Sequence, residues 1–208
     1  MIAVVKGEEE LYARTEHLFM SATEVWCAAA DLSTFAASRR TQEQLGGYRA
    51  KRVRKIYRPS LLLDHAASAH LDEVVRLGAE VRISADEINE TIVLDRRVVI
   101  LAGDRTAGDR AYSVLTAQET VQGVVSLFDA AWRGATDLAV YDARVAELRT
   151  LAPRILDMLA SGCKDETAAR SLGLGLRTYR RRVAELMDAL GATSRFQAGV
   201  RAGELGLL

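Results

Sequence analysis

Cysteine, proline, histidine and lysine are all scarce in this chain. Of 208 residues, two are cysteine, two are proline and three are histidine. The cysteines, Cys27 and Cys163, stand far apart, form no CxxC pair and do not cluster with His17, His65 or His70. A disulfide framework and a zinc site are therefore not expected, and no metal or cofactor is implied. No apolar run approaches the roughly 18 residues of a membrane span. The first ten residues lack the basic start and long apolar stretch of a secretory signal, so the expected location is cytoplasmic. Aromatic residues reach only 6%, and the sparse prolines lean the reading toward helix. No sign of charge dominates either, because 28 basic residues balance 28 acidic ones. Global electrostatics thus gives no argument for a nucleic-acid or membrane partner. Only four of the basic residues are lysine. An alanine- and arginine-rich composition follows from a GC-rich genome, so arginine count alone says nothing about DNA.

What is present is an ordinary globular composition, 49% hydrophobic and 27% charged, in a chain long enough to bury a core unaided. The charge is unevenly placed. Residues 143–208 carry eleven basic and seven acidic side chains, and the remainder is acidic by the same margin. A basic module behind a mildly acidic body suits a DNA-binding protein.

The first 142 residues read as mixed α/β. Helices are expected over 8–21, 35–48, 61–77 and 118–135, and strands over 24–28, 53–57, 80–83 and 111–116. The clearest β signal is a hairpin, in which Thr91-Ile92-Val93-Leu94 and Val98-Val99-Ile100-Leu101 flank Asp95-Arg96-Arg97. Helical spacing of Val121, Val124, Val125, Phe128 and Trp132 marks a packed helix. The densest basic run is Arg49, Lys51, Arg52, Arg54, Lys55 and Arg58. It reads as the exposed side of a strand and its approach, with Val53 and Tyr57 turned inward; an anion or DNA-backbone site is the alternative.

Residues 143–208 read as helical and punctuated by glycines. Leu148, Leu151, Ile155, Met158 and Leu159 form one apolar face. A short helix over 165–172 opens with Asp165 and Glu166, which suit the positive end of its dipole. After the turn Gly173-Leu174-Gly175 comes a longer helix to Leu190, and Thr193 is the expected cap of a last helix. Short helix, tight turn and longer helix is the helix-turn-helix pattern. On the longer helix, Leu176, Tyr179, Val183, Leu186 and Leu190 form one stripe. At about 100° per residue Arg181 points away from it, Arg177 and Ala184 share the outer face, and Arg180 and Arg182 flank it. Arginine's planar fork can pair with guanine O6 and N7.

These residues carry a resemblance. The run Leu159-Ala160-Ser161-Gly162, Asp165, Ala169, Leu172-Gly173-Leu174, Thr178, Arg180, Val183, Leu190-Gly191-Ala192, Ser194-Arg195, Gln197-Ala198 and Gly206-Leu207 resembles the LuxR-type helix-turn-helix family in order and spacing. The resemblance implies a four-helix DNA-binding domain over 143–208. It implies base reading by Arg180, Arg181 and Ala184 and phosphate contacts from Thr178, Arg177 and Arg182. Lys164 stands where the family usually has a capping serine or threonine, which makes it a candidate phosphate contact. Gly175 replaces another frequent cap serine, and Tyr179 replaces the usual valine. Arg195 is implied to be structural.

A receiver domain, a frequent driver of such modules, is disfavoured: no acidic pair follows the 24–28 strand, and no lysine lies between Lys55 and Lys164. The body, 1–142, instead resembles a single phospholipase-D-like repeat of the kind found in TrmB-like regulators. Ala79–Ile83, the Thr91–Leu101 hairpin and the Leu127–Thr136 segment carry that likeness. Active members use His-x-Lys followed by an aspartate, the histidine attacking phosphorus. If Asp95 is that aspartate, the other two positions fall on Ile88 and Glu90. Isoleucine cannot attack, and glutamate would repel phosphate. The expectation is an α+β body with a mixed sheet, without catalytic residues and used for dimerisation or sensing. The whole would be a dimeric transcriptional regulator of double-stranded DNA. RNA polymerase is a further candidate partner. A sigma-like polymerase factor and a phosphodiesterase are the alternative functions, and a pure interaction scaffold is a third.

Overall fold

A computed structural model describes residues 2–30, 32, 52–86, 89–103 and 110–208. The helix expected over 35–48 lies outside them, as do Arg49, Lys51 and Ile88. The chain divides into two compact units. One comprises Met1–Arg58 and His70–Asp137, the other Pro59–Ala69 and Leu138–Leu208. The expected division at 142/143 therefore falls inside a helix, Leu138–Ala160, and a short stretch of the body joins the second unit.

The first unit is an eight-stranded mixed sheet. Its strands are β1 (Ile2–Lys6), β2 (Glu24–Ala29), β3 (Arg52–Tyr57), β4 (Glu80–Ile83), β5 (Thr91–Leu94), β6 (Val98–Ala102), β7 (Ala111–Leu115) and β8 (Thr136–Asp137). Their spatial order is β1-β7-β6-β5-β2-β3-β4-β8. Strands β2, β3 and β4 run parallel, and every other pairing is antiparallel. Helix α1 (Glu8–Ser21) packs Leu11 and Phe19 with Val5, Ile92, Ile100 and Tyr112 on one face. Helix α3 (Gln118–Gly134) packs Val121, Val125, Phe128 and Trp132 on the other, against Trp26, Ile56, Val93 and Val99. Helix α2 (His65–Arg76) is shorter than expected, because Pro59–Leu63 forms a separate 3-10 turn before it. Strands β1 and β8 were not anticipated; each is short and at a sheet edge.

The hairpin turns where the sequence places it. Asp95 and Arg96 take φ of 48° and 55°, and the Arg97 N–H donates to the Leu94 carbonyl at 2.9 Å. Left-handed backbone is unfavourable for side chains other than glycine, with aspartate among the better tolerated. Here the Asp95 carboxylate gains partners in return. Its Oδ1 accepts from Thr23 N–H (2.9 Å), the Thr23 hydroxyl (2.9 Å) and Glu24 N–H (2.8 Å). Partial burial opposes ionisation, but these donors, with Arg97 nearby, outweigh it and hold the carboxyl below its usual range.

Strand β3 departs from the sequence reading. Central parallel strands are covered on both faces, and Val53, Lys55, Ile56 and Tyr57 are all buried. Lys55 is in phase with Val53 and Tyr57, so it turns inward with them. It is 2% exposed and donates to the Tyr57 hydroxyl at 3.3 Å. Burial pushes its amine down to about 8, against the pull of Cys27, whose own thiol burial pushes up to about 12. Arg54, on the opposite face, lies 5.4 Å from the Trp26 ring and 5.3 Å from Trp132. Trp26 itself stacks on Phe128 at 5.1 Å.

The lowered Lys55 amine fixes a pH dependence. Between pH 8 and about 10 the unfolded chain binds the proton that the folded chain has lost, so stability contributed by this site rises with pH. Lys55→Met removes that dependence, while Cys27 acts in both chains. Urea unfolding followed by tryptophan fluorescence reports on this unit, which holds both tryptophans. The wild type should gain on Lys55→Met by up to about 1.4 kcal/mol per pH unit across that window. A constant gap between the two proteins would refute the assignment.

Candidate nucleic-acid interface

The second unit is built from four helices: α4 (Leu138–Ala160), α5 (Asp165–Ser171), α6 (Leu176–Ala189) and α7 (Arg195–Glu204). Leu148, Ile155, Ala169, Tyr179, Leu186 and Ala198 lie at the centre of its core, and Leu63 from the 3-10 turn joins them. Buried alanines on α5 and α7 let those helices approach closely, and the bulky Tyr179 is 1% exposed beneath α6.

The helix ends follow from their sequences. After α5, Gly173 takes φ of 69°, and the Leu174 N–H returns to the Ala169 carbonyl at 2.8 Å. This is the Schellman closure that a glycine makes cheap. Lys164 and Gly175 occupy the N-cap positions of α5 and α6 without a side-chain cap bond. At α7 the cap is Ser194, not the expected Thr193. Ser194 Oγ accepts from Gln197 N–H, while Thr193 donates its N–H and hydroxyl to Gln197 Oε1 at 2.8 and 2.9 Å. Arg201 of α7 donates to the Leu190 and Gly191 carbonyls and so covers the end of α6. Gly191 takes φ of 65°, a left-handed backbone that favours glycine, and a Cβ there would also displace the flexible end of that guanidinium.

Helix α6 turns two different faces outward and inward. Arg177, Arg180, Arg181 and Ala184 are exposed, and Thr178 is half-buried. Tyr179, Val183, Leu186 and, past the helix end, Leu190 are buried, with Leu176 half-buried at the edge. Arg182 corrects the sequence reading. It is 8% exposed and bonds to Glu147 of α4 and to Glu185, the latter at 2.7 Å. It stands three residues after Tyr179 and four before Leu186, on the margin of the buried stripe. Buried and paired, Arg182 is not turned outward with Arg177, Arg180 and Arg181, a placement legible in the periodicity. Lys164 is exposed beside Asp165 at the start of α5. Arg149 of α4 makes a parallel anchor, bonding to Asp142 and the Leu62 carbonyl.

Asp165 is the charge centre of this surface. Its Oδ1 accepts from Arg195 Nη1 at 2.7 Å, and its Oδ2 from Arg195 Nη2 at 3.1 Å and Arg180 Nε at 2.9 Å. The Arg195 hydrogen bonds, foremost, and then those of Arg180 hold the carboxyl down at about 2 against partial burial. Arg181 has only a looser contact, 3.7 Å to Glu185.

Of the phospholipase-D positions in the first unit, Ile88 lies outside the described residues. Glu90 is buried and bonds to Arg110, and Asp95 is engaged with Thr23 and Glu24. Among the described residues no cluster of histidine, cysteine or carboxylate side chains could hold a metal. Nor is any helix among them long and apolar enough to cross a membrane.

Comparison with known proteins adds to this geometry. No family model matches the chain. It is 32% identical over 157 residues to the bialaphos biosynthetic pathway regulatory protein of Streptomyces hygroscopicus. That alignment covers 75% of this chain and 61% of the relative, so the chain spans about three fifths of the relative's length. Among solved structures, TrmBL2, an archaeal chromatin protein, aligns with TM-score 0.50 and 17% identity over 65% of this chain and 53% of its own. NucT from Helicobacter pylori aligns with TM-score 0.51 and 12% identity over 66% of this chain and 98% of its own. The phospholipase D family member Nuc from Salmonella typhimurium gives 0.50 at the same coverage. At these identities the structures establish a fold: the body has the mixed α+β architecture of phospholipase-D-like proteins.

The arginines of α6 should separate by experiment. Arg182→Ala should lower the stability of the second unit by about 1–2 kcal/mol, since the carboxylates it leaves are partly solvated. Arg177→Ala should leave stability unchanged. Thermal melting by circular dichroism tests both, and equal melting of the two variants would place Arg182 outside the core.

Proposed function

We propose that this chain is a cytoplasmic, sequence-specific DNA-binding transcriptional regulator whose residues 143–208 form a LuxR-type helix-turn-helix domain. The observation that carries the reading is α6. Its apolar face is held down by a packed core, while Arg177, Arg180, Arg181 and Ala184 stand exposed beyond a short helix and a glycine turn. A major groove admits one α-helix, and arginine's fork matches the acceptors of guanine. Arg180 and Arg181 with Ala184 are the base-facing group. Arg177, Thr178 and Lys164 are placed to meet phosphates. The relative in Streptomyces hygroscopicus, named a regulatory protein, supports the same reading.

The body serves dimerisation or effector sensing in this proposal, without catalysis. A glutamate buried against Arg110 at the lysine position, and an aspartate committed to the start of β2, support that view. The phospholipase-D-like fold favours phosphodiesterase activity as the second reading. A sigma-like polymerase factor is supported less, because the body is built around an eight-stranded sheet rather than from helices alone.

In-vitro selection of duplexes by the purified protein tests the first reading and returns operator and symmetry together. Arg181→Ala and Arg180→Ala should each cost about 1–3 kcal/mol on the operator and relax preference at one base pair. Arg177→Ala should weaken all duplexes alike and reduce the salt slope by about one. Unchanged preference in both of the first variants would refute α6 as the recognition helix. Sedimentation should show a dimer. Turnover of phosphodiester substrates that disappears in Asp95→Ala would overturn the non-catalytic view of the body.

A further inference from the structure

Three arginines lie near the outer face of α6, and only one of them is held. Arg180 is 57% exposed on its side chain, yet its Nε donates to Asp165 Oδ2 at 2.9 Å. Its Nη2 lies 3.9 Å from Glu166, beyond hydrogen-bond length. Arg181, 63% exposed, has no contact closer than 3.7 Å to a carboxylate among the described residues. The anchor is itself fixed. Asp165 is 13% exposed, sits on the first turn of α5 and accepts from both terminal nitrogens of Arg195, the first residue of α7. One carboxylate thus ties three helices together and carries two guanidiniums.

We propose that Asp165 is the positioning residue that presents Arg180 to DNA. It grips the guanidinium side-on through Nε and leaves the terminal nitrogens as an end-on fork for guanine O6 and N7. This deepens the reading of α6 as a recognition helix and rests on it. The chemistry is specific to guanidinium, because arginine has donors on two edges of a planar group and lysine has one point charge. A long exposed side chain must otherwise be immobilised when the complex forms. Holding it beforehand moves that entropy loss from binding to folding. Arg181, lacking such a brace, orders only on contact. Discrimination at the base pair read by Arg180 therefore depends on a residue that itself touches no base.

Competition binding with full-chain protein tests this, using duplexes varied one base pair at a time from the selected operator. Asp165→Ala should reduce discrimination at the Arg180 base pair by about two- to tenfold. It should leave discrimination at the Arg181 base pair intact and tighten binding to all duplexes, because a negative charge facing phosphates is lost. Asp165→Asn, which keeps one acceptor, should recover part of the discrimination. Adding Asp165→Ala to Arg180→Ala should change nothing more at that base pair. Arg195→Ala removes the structural half of the cluster and keeps the Arg180 contact, so it should lower melting temperature without the local loss. The proposal falls if Asp165→Ala leaves the Arg180 position unaffected while Arg180→Ala relaxes it. It falls equally if Arg195→Ala reproduces the Asp165→Ala pattern at every base pair. If Arg180→Ala relaxes no base pair, the recognition role of Arg180 falls and the positioning role with it.

Discussion

Three consecutive arginines on one helix cannot all face the same way. At about 100° per residue, Arg180, Arg181 and Arg182 span about 200° of the α6 circumference. Whichever pair turns to solvent, the third is driven toward the core. The packing of Tyr179, Val183 and Leu186 settles which one, and Arg182 goes inward. A buried guanidinium is costly unless paired and hydrogen-bonded. Glu147 and Glu185 supply that pairing, one from the long helix α4 and one from a single turn further along α6. The rotation of α6 about its own axis is thereby fixed by charge as well as by apolar packing. Which side chains are presented outward follows from that rotation.

The same logic operates in the body at a different scale. Strand β3 lies inside the sheet with both faces covered, and its sequence carries basic residues on alternate faces. Neither face can solvate them freely. Arg54 escapes by laying its guanidinium between two indole rings and approaching Asp129, 3.7 Å away. Lys55, on the other face, sits with its nitrogen 5.8 Å from the Tyr57 ring, and burial pushes its amine down beside Cys27. Both are stable solutions, but the first keeps the charge at low cost and the second makes the fold sensitive to pH.

Elements with a single strong periodicity were readable from sequence. The hairpin around Asp95-Arg96-Arg97 has β-branched runs on both sides, and α3 and α6 have apolar stripes at helical spacing, so local pattern and tertiary role agree. The short edge strands β1 and β8 carry too few residues to show a period, and pairing partners far along the chain define them. The 3-10 turn at Pro59–Leu63 reads as the start of α2 because its leucines suit a helix; a proline and the demands of the second unit's core separate the two. Ser194 displaced Thr193 as a cap by one position, which propensity alone does not resolve, since either residue suits. On the candidate interface, the outward set was legible from the stripe. Arg182 was within reach of the same arithmetic, but a run of arginines invites reading all of them as solvent-facing. The double grip of Asp165 on Arg180 and Arg195 was not legible, because it joins residues fifteen and thirty positions apart.

The size of the outward set bears on how such a surface can select a sequence. Two guanidiniums reading two bases supply about 2–6 kcal/mol of discrimination at best. Specific protein–DNA recognition usually stands about 4–10 kcal/mol above non-specific binding. On the proposed reading, one α6 reaches the lower part of that range only if both arginines act at full strength, which favours a brace such as Asp165 on at least one of them. In that proposal a second copy of the same surface supplies the rest. Joining two modules makes the second contact intramolecular and multiplies affinity without adding a residue to either face. On the same proposal, a regulator that presents so few base-reading side chains per chain relies on its body for assembly. That work draws on the outer surface of the body and asks no chemistry of it.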